Sequence, residues 1–106
     1  MSKQQPTTDD IRAFAPKLME LTDEVLFGDV WERPGLSKRD RSLITVAALT
    51  ALYRTNELPF HIVRARENGV SKDELIELFT HLAFYAGWPN AMTAVRIAIE
   101  QLAETE

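Results

Sequence analysis

The chain has 106 residues, of which 45% are hydrophobic and 26% charged, with a formal net charge of −4 and no cysteine. A single domain over 1–106 is expected, burying roughly 65% of its unfolded surface, and the composition is too apolar for a disordered chain. The acidic balance gives no broad cationic field, which argues against a nucleic-acid partner, and the absence of thiols excludes disulfides, thiolate metal sites and thiol-based catalysis.

At the N-terminus "MSKQQPTTDD" lacks the apolar core of a signal peptide, and no apolar run reaches the ~18 residues that a membrane span needs. A cytoplasmic protein with no membrane partner is expected, with residues 1–7 flexible. Thr7 or Thr8 followed by Asp9 and Asp10 starts a helix, and Ile11, Phe14, Leu18, Leu21 and Val25 continue it at spacings of three and four, predicting a helix over about 8–26. "FGDVWERPGLS" (27–37) is a joint. Ser37 caps the next helix, with Asp40 at its third position. This helix, about 38–53, carries "LITVAALTALY", apolar nearly all round, and is the central one, to be covered by its siblings or by another subunit.

A third helix starts near Asn56, with Pro59 in its first turn, and stops at Asn68-Gly69, where glycine takes the left-handed conformation. "SKDE" (71–74) has capping-box spacing and opens a helix to about 86; Pro89 opens the last, about 89–104. No segment alternates with period two. The fold class is all-α, a compact bundle of about five helices.

Two groups of side chains have the composition of a site. Glu57 and His61 lie about 40° apart on a helical wheel, and Arg54 joins them if the preceding turn is tight. Glu57 can orient the imidazole through one ring nitrogen and leave the other for proton transfer. Taken alone, the same spacing also describes a helix-start carboxylate beside a half-buried surface histidine. Further on, His81 and Tyr85 are four apart, Glu77 precedes His81 by four, and Trp88 continues the stripe; an imidazole and a phenol offer donors to an anion, or else form an aromatic packing face. A metal site from His61, His81 and Glu57 or Glu77 is conceivable, but neither histidine lies in a specific ligand motif, and no metal is expected. Arg39, Arg41, Arg54, Arg64 and Arg66 surround the Glu57–His61 segment, and one or two of them suit a carboxylate-bearing substrate by bidentate pairing.

"VWERPGLSKRDRSLITVAALTAL", "RTNELPFHIVRARENGVSKDEL" and "HLAFYAGWPNAMTA" resemble, in order and spacing, the carboxymuconolactone decarboxylase family over roughly 20–103. The resemblance implies a helical, oligomeric alkylhydroperoxidase-like fold, with a homo-trimer or homo-hexamer as the assembly. One branch of that family works through Cys-x-x-Cys-x-x-x-His; its histidine matches His61, but the cysteines fall on Arg54 and Glu57, and the relay glutamate on Ser42. Disulfide reduction is therefore excluded on chemistry. The other branch resembles the Arg54, Glu57, His61 pattern found here and implies decarboxylation of 4-carboxymuconolactone in aromatic catabolism, without a cofactor, because the conjugated lactone is its own electron sink. On this reading His61 is general acid or oxyanion donor and Glu57 its orienting partner. Arg54 or Arg41 clamps the carboxylates, and His81, Tyr85 and Trp88 finish the pocket. Two other functions fit the same scaffold: an isomerase or proton-transfer enzyme on another small carbonyl compound, and a non-catalytic oligomeric binding protein.

Overall fold

The computed structural model describes residues 4–103, so part of the segment expected to be flexible, 1–3, lies outside the described residues. The chain divides into two units, Met1–Gly35 and Leu36–Glu106. All regular structure among the described residues is helical.

The first unit contains α1 (Thr8–Phe14), α2 (Pro16–Leu21), a π-helical turn (Thr22–Phe27) and a 3-10 turn (Val30–Glu32). Thr7 caps α1 reciprocally: its hydroxyl accepts from the Asp10 amide at 3.1 Å, and the Asp10 carboxylate accepts from the Thr7 amide at 2.8 Å. The one helix expected over 8–26 is broken at Pro16. Proline has no N–H to give the carbonyl four residues back, and its ring pushes the preceding residue out of the α region. Ala15 accordingly sits at φ −132°, ψ 69°. The break makes six α-helices out of the expected five. An Arg12–Asp23 ion pair of 2.7 Å links the segments on either side of it. The Thr22 hydroxyl bonds back to the Leu18 carbonyl at 2.8 Å where the π-helical turn begins, a side-chain bond that competes with the regular ladder. The predicted stripe of Ile11, Phe14, Leu18, Leu21 and Val25 is exposed throughout, Phe14 by 92%. Trp31 is buried, with Phe27 tilted against it at 6.0 Å.

The second unit holds α3 (Lys38–Ala51), α4 (Leu58–Glu67), α5 (Lys72–Leu82) and α6 (Trp88–Ala103). Ser37 caps α3 by accepting from the Asp40 amide at 3.0 Å, and Ser71 with Glu74 forms the expected capping box on α5. α3 packs on α4, α5 and α6, and α6 also packs on α4 and α5. Each helix buries one stripe at the spacing of helical turns: Leu58, Ile62 and Ala65 on α4, Leu75 and Phe79 on α5, and Ala91, Ala94, Ala98 and Leu102 on α6. The alanines let the α6 backbone approach its neighbours closely. Only Ser42, Val46 and Thr50 of α3 are fully buried, so this helix is central but not enclosed; Ile44, Ala48 and Leu52 stay exposed.

Two of the three buried α3 residues are polar, and each is satisfied. The Thr50 hydroxyl donates to the Val46 carbonyl at 2.8 Å. The Ser42 hydroxyl, 0% exposed, accepts from the Asn68 side-chain amide at 2.9 Å, tying α3 to the C-terminal end of α4. That end follows the Schellman pattern. The Val70 amide donates to the Ala65 carbonyl at 2.9 Å and the Gly69 amide to Arg66 at 3.1 Å, with Gly69 at φ 100°, where a side chain is strained.

Removing the amide at Asn68→Ala strands a buried hydroxyl and should cost about 1–3 kcal/mol in urea unfolding. Adding Ser42→Ala should cost little more, since the stranded group is then gone; two additive penalties would show that the pair does not act as a unit.

Candidate active site

The site begins where α3 ends. The Arg54 amide donates to the Leu49 carbonyl at 2.8 Å and the Tyr53 amide to Thr50 at 3.1 Å. This is the same Schellman pairing that closes α4, but the left-handed position holds Tyr53, at φ 58°, in place of a glycine. A non-glycine residue there costs about 1–3 kcal/mol. Asn90, in the first turn of α6, reaches back to this end; its side-chain amide lies 3.3 Å from the Thr50 carbonyl and 3.1 Å from that of Ala51.

The chain then turns through Arg54-Thr55-Asn56-Glu57 into α4. The amides of Glu57 and Leu58 both donate to the Arg54 carbonyl, at 3.3 and 3.1 Å. This tight turn brings the two side chains together: Arg54 Nε donates to Glu57 Oε1 at 2.7 Å. Glu57 is the N-cap residue of α4 and makes no side-chain bond to the helix start, so its carboxylate is turned to Arg54. Pro59 occupies the first turn of the helix, as predicted.

His61 follows one turn after Glu57. It is half-buried, with Nδ1 inside, and Phe60 stands edge-on to its ring at 5.0 Å and 89°. Its pKa is pushed below 6.5, chiefly by burial and further by the Arg64 guanidinium; Glu57 pulls in the other direction without reversing the shift. His61 is therefore neutral at pH 7 and presents an N–H and a lone pair. Arg41, on α3, is partly buried, with its Nε inside.

The second predicted group straddles the end of α5, with Glu77 and His81 inside the helix and Tyr85 and Trp88 beyond it. His81 and Tyr85 stack at 4.8 Å and 25°, although the helix stops at Leu82 and not near 86 as expected. Tyr85 is 78% exposed, and Trp88, which opens α6, is exposed and stands edge-on to Phe84 at 5.7 Å. His81 lines a groove of about 610 Å³ between α3 and α5, with Leu43, Ile44, Ala47, Leu78 and Leu82. Arg54, Glu57 and His61 are not among the residues lining that groove. The structure thus brings Arg54, Glu57 and His61 into one neighbourhood and His81 with Tyr85 into another. Among the described residues no three histidines or carboxylates gather as a metal site, and no helix is long and apolar enough to cross a membrane.

Sequence reasoning placed Asn68 at the end of its helix but missed its side-chain bond to Ser42, the role of Asn90 and the left-handed Tyr53. It also took Arg39 only as one cation of several, whereas Arg39 pairs with both Asp40 and Glu74 and so joins the starts of α3 and α5. The Ser71 amide and Arg39 together hold the Glu74 carboxyl below the usual range, the Ser71 backbone bond first.

A fold that is all-helical among the described residues, in a chain without cysteine, is the class anticipated above for the non-thiol branch. Residues 16–100 match the carboxymuconolactone decarboxylase family, and the chain belongs to it. It is 40% identical over 92 residues to 4-carboxymuconolactone decarboxylase of Acinetobacter baylyi, covering 87% of this chain and 69% of that protein. It is 38% identical over 76 residues to nitrosuccinic acid decarboxylase of Metarhizium robertsii, covering 72% of this chain and 53% of that protein. The chain thus spans about two thirds and about half of the length of these relatives.

Two substitutions should move the His61 titration in opposite directions. Arg64→Gln removes a repelling cation and should raise its pKa; Glu57→Gln removes an attracting anion and should lower it further, both read from the ring proton shifts. Because the folded pKa is below the unfolded 6.5, the unfolded chain binds the extra proton first. Stability should therefore fall as pH drops through 6.5 toward the folded value, and His61→Asn should remove that part of the slope.

Proposed function

We propose that this chain is a cofactor-independent carboxy-lyase that removes CO₂ from a small acid whose departing carboxylate lies next to an electron sink. The observation that carries this reading is that two relatives with different named substrates share one reaction: both are decarboxylases, one of 4-carboxymuconolactone and one of nitrosuccinic acid. A conjugated lactone carbonyl and a nitro group each accept an electron pair, so the substrate supplies the sink and the protein supplies orientation and a proton. The division of labour is that Arg54 or Arg41 clamps a substrate carboxylate, while Glu57 holds Arg54 and faces His61 through space.

The carbon–carboxylate bond breaks, its electron pair moves into the sink, and CO₂ leaves. The resulting enolate or nitronate then takes one proton on carbon, so each turnover consumes one proton. His61 is neutral in the free chain, but an incoming anionic substrate raises a neighbouring imidazole's pKa. On this reading the substrate draws a proton onto His61, which donates to the developing oxyanion and then protonates carbon.

The exposed apolar residues favour a homo-oligomer, and the family resemblance points to a trimer as its core, or a hexamer built from it, with sites at or across the subunit boundary. Leu52 is 71% exposed and Ile99 64%, and Ile44, Phe84 and Met92 are exposed as well, large apolar side chains that association would cover. A cytoplasmic place in aromatic-acid breakdown fits this substrate class.

The reading is tested by following loss of 4-carboxymuconolactone and of nitrosuccinic acid. His61→Ala should abolish turnover, a loss of about 10³-fold or more, with helicity kept, and Glu57→Gln should be milder. Retention of most activity by His61→Ala removes it from the mechanism. Light scattering at low micromolar concentration should find an oligomer; a stable, fully active monomer sinks the shared-site proposal.

A further inference from the structure

The second unit closes two of its helices with one hydrogen-bond pattern but not with the same residue. At the end of α4 the left-handed position is Gly69; at the end of α3 it is Tyr53. Tyrosine does not enter that region unaided. What distinguishes the α3 end is Asn90, whose amide lies against the last two carbonyls of α3, those of Thr50 and Ala51. Tyr53 is itself 56% exposed, so it is not held there by a fully buried ring. The next residue is Arg54, whose amide completes the motif and whose side chain pairs with Glu57.

We propose that Asn90 is a positioning residue of the site: by holding the C-terminal carbonyls of α3 it keeps Tyr53 left-handed, and so fixes the direction in which Arg54 leaves the helix toward Glu57. The inference rests on the reading of Arg54 as a carboxylate clamp, and it adds a residue 36 positions further along, on another helix, to the set that shapes substrate binding. Asn90 does not touch the substrate. Its effect passes through backbone, which is why a glycine at 53 should make it dispensable: glycine takes a positive φ without help.

The test uses the full chain with Asn90→Ala, Tyr53→Gly, the double variant and Arg54→Ala. Two readouts are taken: hydrogen exchange at the Arg54 amide, and KM and kcat on whichever of 4-carboxymuconolactone and nitrosuccinic acid the unaltered chain turns over. Asn90→Ala should speed Arg54 amide exchange about tenfold and raise KM about tenfold with kcat within about threefold, as expected when a binding group, not the chemical step, is displaced. Tyr53→Gly alone should change neither by more than about threefold, and in the double variant it should restore both. Should Asn90→Ala fail to fold, Asn90→Asp keeps the shape and helix start, loses the donor, and should show the same rescue.

Unchanged exchange in the Asn90 variants, or a KM that glycine at 53 does not restore, overturns the proposal. Arg54→Ala separates this failure from that of the underlying reading. If Arg54→Ala raises KM and the Asn90 variants do not, Asn90 has no positioning role. If Arg54→Ala leaves KM unchanged, the clamp itself is wrong and this inference goes with it.

Discussion

The rotation of α4 about its own axis fixes most of what this chain can do. Leu58, Ile62 and Ala65 are fully buried and lock that rotation against α3 and α6. With them in place, His61 is carried to the edge of the core, buried enough to lose its proton at neutral pH yet still reachable. Arg64 follows one turn later and reinforces the same shift. Glu57 sits one turn before, at the positive end of the helix, where a carboxylate is favoured without having to cap it. One packing decision thus sets the charge state of the imidazole and the order of the charges around it.

The joints at the two ends of α4 fix its position along the axis. At its start the tight turn from Tyr53 to Glu57 leaves no slack between α3 and α4. At its end Asn68 reaches the buried Ser42 hydroxyl on α3, and Val70 folds back on Ala65. α3 is therefore held to α4 at both ends by polar contacts and in the middle by Val46. Such satisfied buried polar groups add specificity of register where an all-apolar stripe would allow sliding.

Much of the fold was legible because it is written in local rules. Thr7, Ser37 and Ser71 are followed three residues on by Asp10, Asp40 and Glu74, and all three cap as the spacing requires. Gly69 closes α4 and Pro59 opens it, again as local chemistry dictates. The miss at Pro16 came from weighing the apolar period above the proline, although the proline alone decides where a hydrogen bond is lost. Of the candidate site, the convergence of Arg54 with Glu57 was legible, since it follows from the tight turn before α4, whereas Glu57 was read as the partner of His61 and its bond is to Arg54. What was hidden depends on contacts across the chain: Asn90 reaching Thr50, Asn68 reaching Ser42, and a left-handed tyrosine that no local rule anticipates. Asparagine amides carry no periodicity, so nothing in a single sequence marks which carbonyl they will meet.

The buried Ser42 also bears on how the two chemistries of this family diverge. The resemblance implies a relay glutamate at the matching position of the thiol branch, whereas here it is a small hydroxyl with no exposed surface, matched to one amide. A carboxylate at 42 would be larger than the space and would carry charge into the helix interface, where Asn68 offers it a single donor. Cysteines placed at 54 and 57 would still lack, at position 42, the glutamate that the resemblance assigns to the thiol branch. A carboxylate at 42 therefore requires α3 and α4 to repack around Asn68, so one side chain's volume ties the chemistry open to this chain to the contact between two helices.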